Sequence, residues 1–128
     1  MIVGIGLDLV DIARVERMLD DKGERATTKL FTPEEARYAT SRAHPARHFA
    51  ARFAAKEAAY KALAGSELAR GIGWRDLEVL RDADSGQPRL ALHGRAAERA
   101  AELGVTRVLL SLTHSHATAA AVVVLEGA

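Results

Sequence analysis

The sequence predicts an α+β domain with a mainly antiparallel sheet packed against helices, one of them long and central. Three observations carry that expectation. Residues 2–10, IVGIGLDLV, alternate in the manner of a strand. Residues 46–64 form one long alanine-rich stretch with helical spacing. The chain ends in two strand-like runs, RVLLSLTH and ATAAAVVVLE, around a tight turn at Ser115-His116.

Along the chain, Val3, Ile5, Leu7 and Leu9 share one face of the first strand, and Gly4, Gly6, Asp8 and Val10 the other. Glycine inside a strand marks close approach of a ligand or another backbone, so Asp8 projects from a face cleared of bulk. Asp11 suits an N-cap for a helix IARVERMLDDK, with Ile12, Val15, Met18 and Leu19 inward and an end near Gly23. Thr32-Pro33-Glu34-Glu35 has the form of a capping box and opens a short helix to about Arg42. Pro45 separates it from the long helix, which stops near Gly65. Residues 65–75 read as a loop; 76–81 and 88–93 read as a hairpin turning at Ser85-Gly86; RAAERAAEL reads as a helix closed by Gly104. The last strand, 117–125, is apolar on both faces, and a domain of this size covers both most easily with another subunit.

The 128 residues fit one domain, 1–128, with one modest core. Hydrophobic residues make up 48% and charged residues 27%, with a formal net charge of +1, the profile of a soluble globular protein with no electrostatic case for nucleic acid. Cysteine is absent, which excludes disulfides, thiolate metal sites and thiol nucleophiles. The apolar N-terminus has no basic leader and is interrupted by Asp8 and Asp11, and no run approaches a membrane span, so the cytoplasm is the expected compartment.

The charges of RFAAKEAAYKAL, residues 52–63, are in an odd place: Lys56 falls within the apolar stripe and Glu57 and Lys61 along its edge. Asp8 and Glu57 together would suit a hard cation, best Mg²⁺, which uses one or two carboxylates plus phosphates and water. The plainer alternative is that Asp8 caps a turn and Glu57 pairs with Lys61 along the helix. Arg52, Lys56 and Lys61 form a basic ladder fit for phosphate, or stems lying on apolar surface with their heads in water. Ser111, Thr113, His114, Ser115 and His116 gather hydroxyls and imidazoles that could hydrogen-bond a phosphate. No serine sits in a G-x-S-x-G elbow, and the GIG segments are too short for a dinucleotide fingerprint. Arg14, Arg17 and Lys22 beside Met18 suit an acidic helical partner, or are simply a solvated face.

Taken together, IVGIGLDLVDIARVER, RFAAKEAAYKAL and LSLTHSHATAAAVVVLE resemble the three signature segments of the holo-(acyl-carrier-protein) synthases, the small 4′-phosphopantetheinyl transferases. FTPEEARYA and DLEVLRDADSGQPRLAL resemble their counterparts there, so the likeness runs nearly end to end. It implies the 4′-phosphopantetheinyl transferase fold, and transfer of 4′-phosphopantetheine from coenzyme A to a serine of apo acyl carrier protein in fatty acid biosynthesis. It also implies a homotrimer with active sites between subunits. By the same resemblance Asp8 and Glu57 are the magnesium ligands, Lys61 and His114 bind phosphate with Ser115 beside them, and Arg14 meets the carrier's acidic helix. The basic ladder adds Arg52 to the coenzyme A site, and the pattern of the first helix adds Met18 to the carrier surface. The loop AGSELARGIGW is longer than and spelled differently from the family's, and an aromatic residue common after the histidine segment is replaced by Thr118-Ala119-Ala120. A coenzyme A-binding trimer without catalysis and a magnesium-dependent phosphohydrolase are the alternatives.

Overall fold

The computed structural model describes residues 1–128. Strand β1 (Ile2–Asp11) leads into α1 (Ile12–Lys22), α2 (Glu24–Leu30), α3 (Pro33–Thr40) and the long α4 (Pro45–Leu63). A short α5 (Glu67–Arg70) and a 3₁₀ turn (Trp74–Asp76) precede the hairpin β2 (Leu77–Arg81) and β3 (Pro88–Leu92); α6 (Gly94–Leu103), β4 (Val105–His114) and β5 (Thr118–Gly127) complete the chain. The expected α+β class holds, with every strand pair antiparallel.

The strands make two sheets rather than one: a three-stranded sheet in the order β1-β5-β4, and the β2-β3 hairpin by itself. Two helices were not foreseen. Residues 24–30, ERATTKL, carry two β-branched threonines and no clear apolar stripe, and α2 forms because Ala26 and Leu30 are buried by the tertiary packing. Residues 67–70 form α5, capped by Ser66, inside the expected loop. The anticipated caps are present: Asp11 accepts from the Ala13 amide, and Thr32 and Glu35 close a full capping box on α3.

Helix α4 is the centre of the molecule. Its alanines at 50, 51, 54, 55, 58, 59 and 62 are buried around most of its circumference. Small side chains let it lie directly on β1, and the strand answers with glycines. A Cβ on Gly4 would stand 2.4 Å from the Ala62 carbonyl oxygen, and one on Gly6 only 1.8 Å from that of Ala58. The glycine face of β1 therefore receives the backbone of α4, not a ligand.

The inner face of the sheet, with Ala119, Ala121, Val123 and Leu125, is buried against α4. The outer face is not covered: Ile5, Leu7 and Leu9 are each more than 60% exposed, and Val122 and Val124 beside them are half-buried. The two-sided burial expected for residues 117–125 is thus met on one side only within a single chain.

Because the Ala58 carbonyl cannot retreat without shifting α4, Gly6→Ala is expected to destabilise the fold by about 3 kcal/mol. Urea denaturation with an unchanged slope and a lowered midpoint is the measurement.

Candidate active site

Two charged clusters flank α4. The first joins β1 to the helix. Lys61 donates to the Asp8 carboxylate at 2.9 Å and to the Leu7 carbonyl at 3.0 Å. The plain alternative of a Glu57–Lys61 pair is not what forms; lysine bonds the strand, and Glu57 has no hydrogen bond or ion pair of its own. Burial and then the nearby Asp8 charge push the Glu57 carboxyl above its usual range, against the pull of Lys61 and Arg14.

A half-buried, unpartnered carboxylate repelled by a second one is a donor set that a divalent cation satisfies. Two protein oxygens are too few for an all-protein cage and match Mg²⁺, which fills its remaining positions with water and substrate phosphate. No group of three or more potential metal-ligating side chains of His, Cys, Asp or Glu occurs. The residues present therefore fit magnesium held jointly with a phosphorylated ligand. Asp8 is largely shielded, with 11% of its side chain exposed, whereas Lys61 is 54% exposed and free to turn toward an incoming anion.

The second cluster is a cavity of about 210 Å³ between α3, α4, the β2-β3 hairpin and the end of β4. Arg52 forms its inner wall. Its side chain is buried, and its Nε has no hydrogen-bond partner, a donor that an anion would satisfy. The Arg52 guanidinium lies 4.3 Å from the centre of the Tyr38 ring, with Arg81 at 4.9 Å and Arg42 at 5.4 Å from the same ring. His48 meets Tyr38 edge-on, and His114 closes the rim. Burial, then Arg52, Arg42, His114 and Arg47, lower the His48 pKa below the usual imidazole value. So much positive charge around one small cavity calls for phosphate.

Sequence reasoning left Arg52 and Lys56 undivided as phosphate contacts. The fold divides them. Lys56 is fully buried and donates to the Glu35 carboxylate at 2.7 Å and to the Trp74 and Leu77 carbonyls at 2.9 and 2.5 Å, so all three of its protons are used inside the core. Neither a subunit contact nor a phosphate can reach it. Ser115 also departs from expectation, since its hydroxyl accepts from the Thr118 amide within the β4-β5 turn and does not line the cavity. Arg14 is exposed on α1 near Glu57, while Met18 packs partly against the core and offers little free surface.

Asp8 and His114 project from the same, α4-facing side of the sheet, as the registers Asp8–Ala121–Leu112 and Val10–Ala119–His114 require. They sit on the two outer strands with β5 between them, about 10 Å apart across the sheet. The carboxylates and the cationic cavity are two half-sites at opposite edges of one chain.

A family model described as the 4′-phosphopantetheinyl transferase superfamily matches residues 4–122. The chain belongs to this superfamily. Among its relatives, a holo-(acyl-carrier-protein) synthase of Geobacter sulfurreducens is 45% identical over 98% of each chain. The crystal structure of the synthase from Neisseria meningitidis superposes with a TM-score of 0.85 at 32% identity, covering 98% of this chain and 99% of that one. The synthase of Bacillus anthracis, solved in complex with CoA (3′,5′-ADP), gives 0.79 at 35% identity, covering 100% and 99%.

Within this transferase, His48, Tyr38 and Arg81 are the cavity residues that sequence reasoning missed. His48 stands one helical turn before Arg52, and that spacing was readable. Tyr38 and Arg81 lie on other elements and reach the cavity only through the fold.

Since its folded pKa is raised, Glu57 opposes stability as pH climbs through that value, and a bound divalent cation removes the penalty. Without metal at pH 7, Glu57→Gln is expected to melt at or above the wild-type temperature. With coenzyme A present, saturating Mg²⁺ should raise the wild-type melting temperature by several degrees and that of the variant much less. Thermal melts with EDTA and with Mg²⁺ make the comparison.

Proposed function

We infer that this chain transfers 4′-phosphopantetheine from coenzyme A to a serine hydroxyl of apo acyl carrier protein, leaving adenosine 3′,5′-bisphosphate. The reading is carried by one observation above all: a chain matched by the transferase superfamily over residues 4–122 holds a carboxylate–lysine cluster and a separate small cationic cavity. The first suits the pyrophosphate of coenzyme A, the second its 3′-phosphate. Relatives bearing the synthase name, and one solved with coenzyme A, support the same substrates.

The serine Oγ attacks the β-phosphorus of coenzyme A, the bond from that phosphorus to the bridging oxygen breaks, and adenosine bisphosphate departs with the electron pair. Such a transfer needs mainly positioning and charge neutralisation. Asp8 and Glu57 would hold Mg²⁺, which when bound neutralises charge on the pyrophosphate. Lys61, half exposed, leaves the Asp8 carboxylate to meet the phosphoryl oxygens as their charge builds. The serine proton passes through water to one of the two carboxylates. Arg52 and His114 receive the 3′-phosphate, the buried guanidinium supplying the donor left without a partner. Exposed Arg14, close enough to Glu57 to influence it, faces the acidic surface of the carrier protein.

The assembly is a homotrimer in the cytoplasm. Its support is the uncovered face of Ile5, Leu7 and Leu9, which is apolar enough to need a second copy, and the separation of the half-sites. A neighbouring copy brings the carboxylates of one chain against the cationic cavity of the next. No helix is long and apolar enough to cross a membrane.

Incubation with coenzyme A, Mg²⁺ and apo carrier protein should raise the carrier's mass by one phosphopantetheine, with loss in EDTA and return on added Mg²⁺. Asp8→Asn should lower turnover at least about 100-fold. Binding of coenzyme A without carrier modification, or release of phosphate without any carrier, would overturn the assignment.

A further inference from the structure

Lys56 is the most deeply buried charge in the central helix and the most heavily bonded, and the transfer reaction does not use it. We propose that Lys56 and Glu35 are positioning residues that set the shape of the cationic cavity and thereby the affinity for coenzyme A. The inference rests on the assignment of that cavity to the 3′-phosphate.

The pair ties together three elements around α4. Lys56 Nζ bonds Glu35 on α3, the Trp74 carbonyl in the 3₁₀ turn and the Leu77 carbonyl at the start of β2. Glu35 spends its remaining capacity on the same neighbourhood, accepting the Thr32 amide at one oxygen and the Val79 amide of β2 at the other, both at 2.9 Å. The link continues outward, for the Thr32 hydroxyl donates to Glu78 at 2.6 Å, and His93 meets the other Glu78 oxygen at 2.9 Å.

Of the elements so joined, α4, α3 and β2 each carry one wall of the cavity within about a turn of the tie, and the 3₁₀ turn carries none. Arg52 stands four residues before Lys56 on α4, Tyr38 three after Glu35 on α3, and Arg81 two after Val79 on β2. The distances between these three side chains follow from the bonds of one ammonium and one carboxylate. Directional bonds to the Trp74 and Leu77 carbonyls and to Glu35 add angular constraints on the hairpin's height along the helix that non-directional packing does not supply. A buried ion pair is weak evidence for stability, because hydrophobic replacements of similar volume often fold as well, so its retention here is better explained by geometry.

The test replaces the pair without leaving a lone buried charge, as Glu35→Gln with Lys56→Met, and follows binding of adenosine 3′,5′-bisphosphate in EDTA by calorimetry. Wild-type protein comes first: if it neither binds the bisphosphate nor modifies carrier protein, the assignment of function fails, not the positioning role. With the wild type active, the double variant is expected to bind the bisphosphate roughly tenfold more weakly, and to raise KM for coenzyme A by the same factor while kcat stays within about threefold. Wild-type affinity and KM in a folded double variant would overturn the proposal, as would a loss confined to kcat. Should that variant not fold, Thr32→Val keeps both core charges and removes only the hydroxyl bonded to Glu78 and to the Glu35 amide. It should raise KM about threefold with kcat unchanged, and an unchanged KM would again overturn the proposal.

Discussion

Everything else in this molecule rests on how closely α4 approaches β1. Two strand glycines and a run of helix alanines bring backbone to backbone, so that the Ala58 and Ala62 carbonyls lie where the Cβ atoms of Gly6 and Gly4 would be. At that distance the helix can neither roll nor slide without a clash. A rigid central rod follows, and the charges at Arg52, Glu57 and Lys61 are aimed by it rather than by their own flexible stems. Lys61 reaches Asp8 across the same contact.

The rod faces two electrostatic environments. Toward β1 its Glu57 carboxylate meets that of Asp8 on the strand, and the half-exposed Lys61 balances the pair. Toward α3 and the hairpin it presents a buried guanidinium facing a tyrosine ring, with further cations around it. Both environments are incomplete in the free protein: one carboxyl is pushed above its ordinary range and one imidazole below it. In the proposed reaction, phosphate complements the cationic side and a divalent cation would complement the anionic side. Such stored imbalance costs stability and is characteristic of sites built for ligands.

Much of this was legible in the sequence, and the rest for physical reasons was not. The caps at Asp11 and Thr32, the long helix, the glycine face of β1 and the special charges at Asp8, Glu57 and Lys61 follow from local spacing and the cost of placing charge beside apolar surface. The helix over ERATTKL did not, since its stability comes from the tertiary burial of Ala26 and Leu30. Lys56 stands out in the sequence as a charge within an apolar stripe, but its partners, 18 and 21 residues away along the chain and on α3, become neighbours only in the fold. Tyr38 and Arg81 carry no local sign of their role, because a cavity wall is a property of packed elements. The outer face of the sheet shows the reverse: residues 117–125 are apolar on both faces, and a single chain covers only one of them.

That unsatisfied face and the separated half-sites meet in the proposed trimer, where each reaction centre draws carboxylates from one chain and the phosphate cavity from the next. Subunit mixing addresses this directly. Asp8→Asn chains and Arg52→Ala chains, each nearly inactive alone, are refolded together and the hybrid assemblies verified by native mass spectrometry. Transfer activity that returns only in the hybrids is the expected result, because some interfaces then combine an intact Asp8 with an intact Arg52. Verified hybrids that stay as inactive as either parent would contradict a site shared between chains.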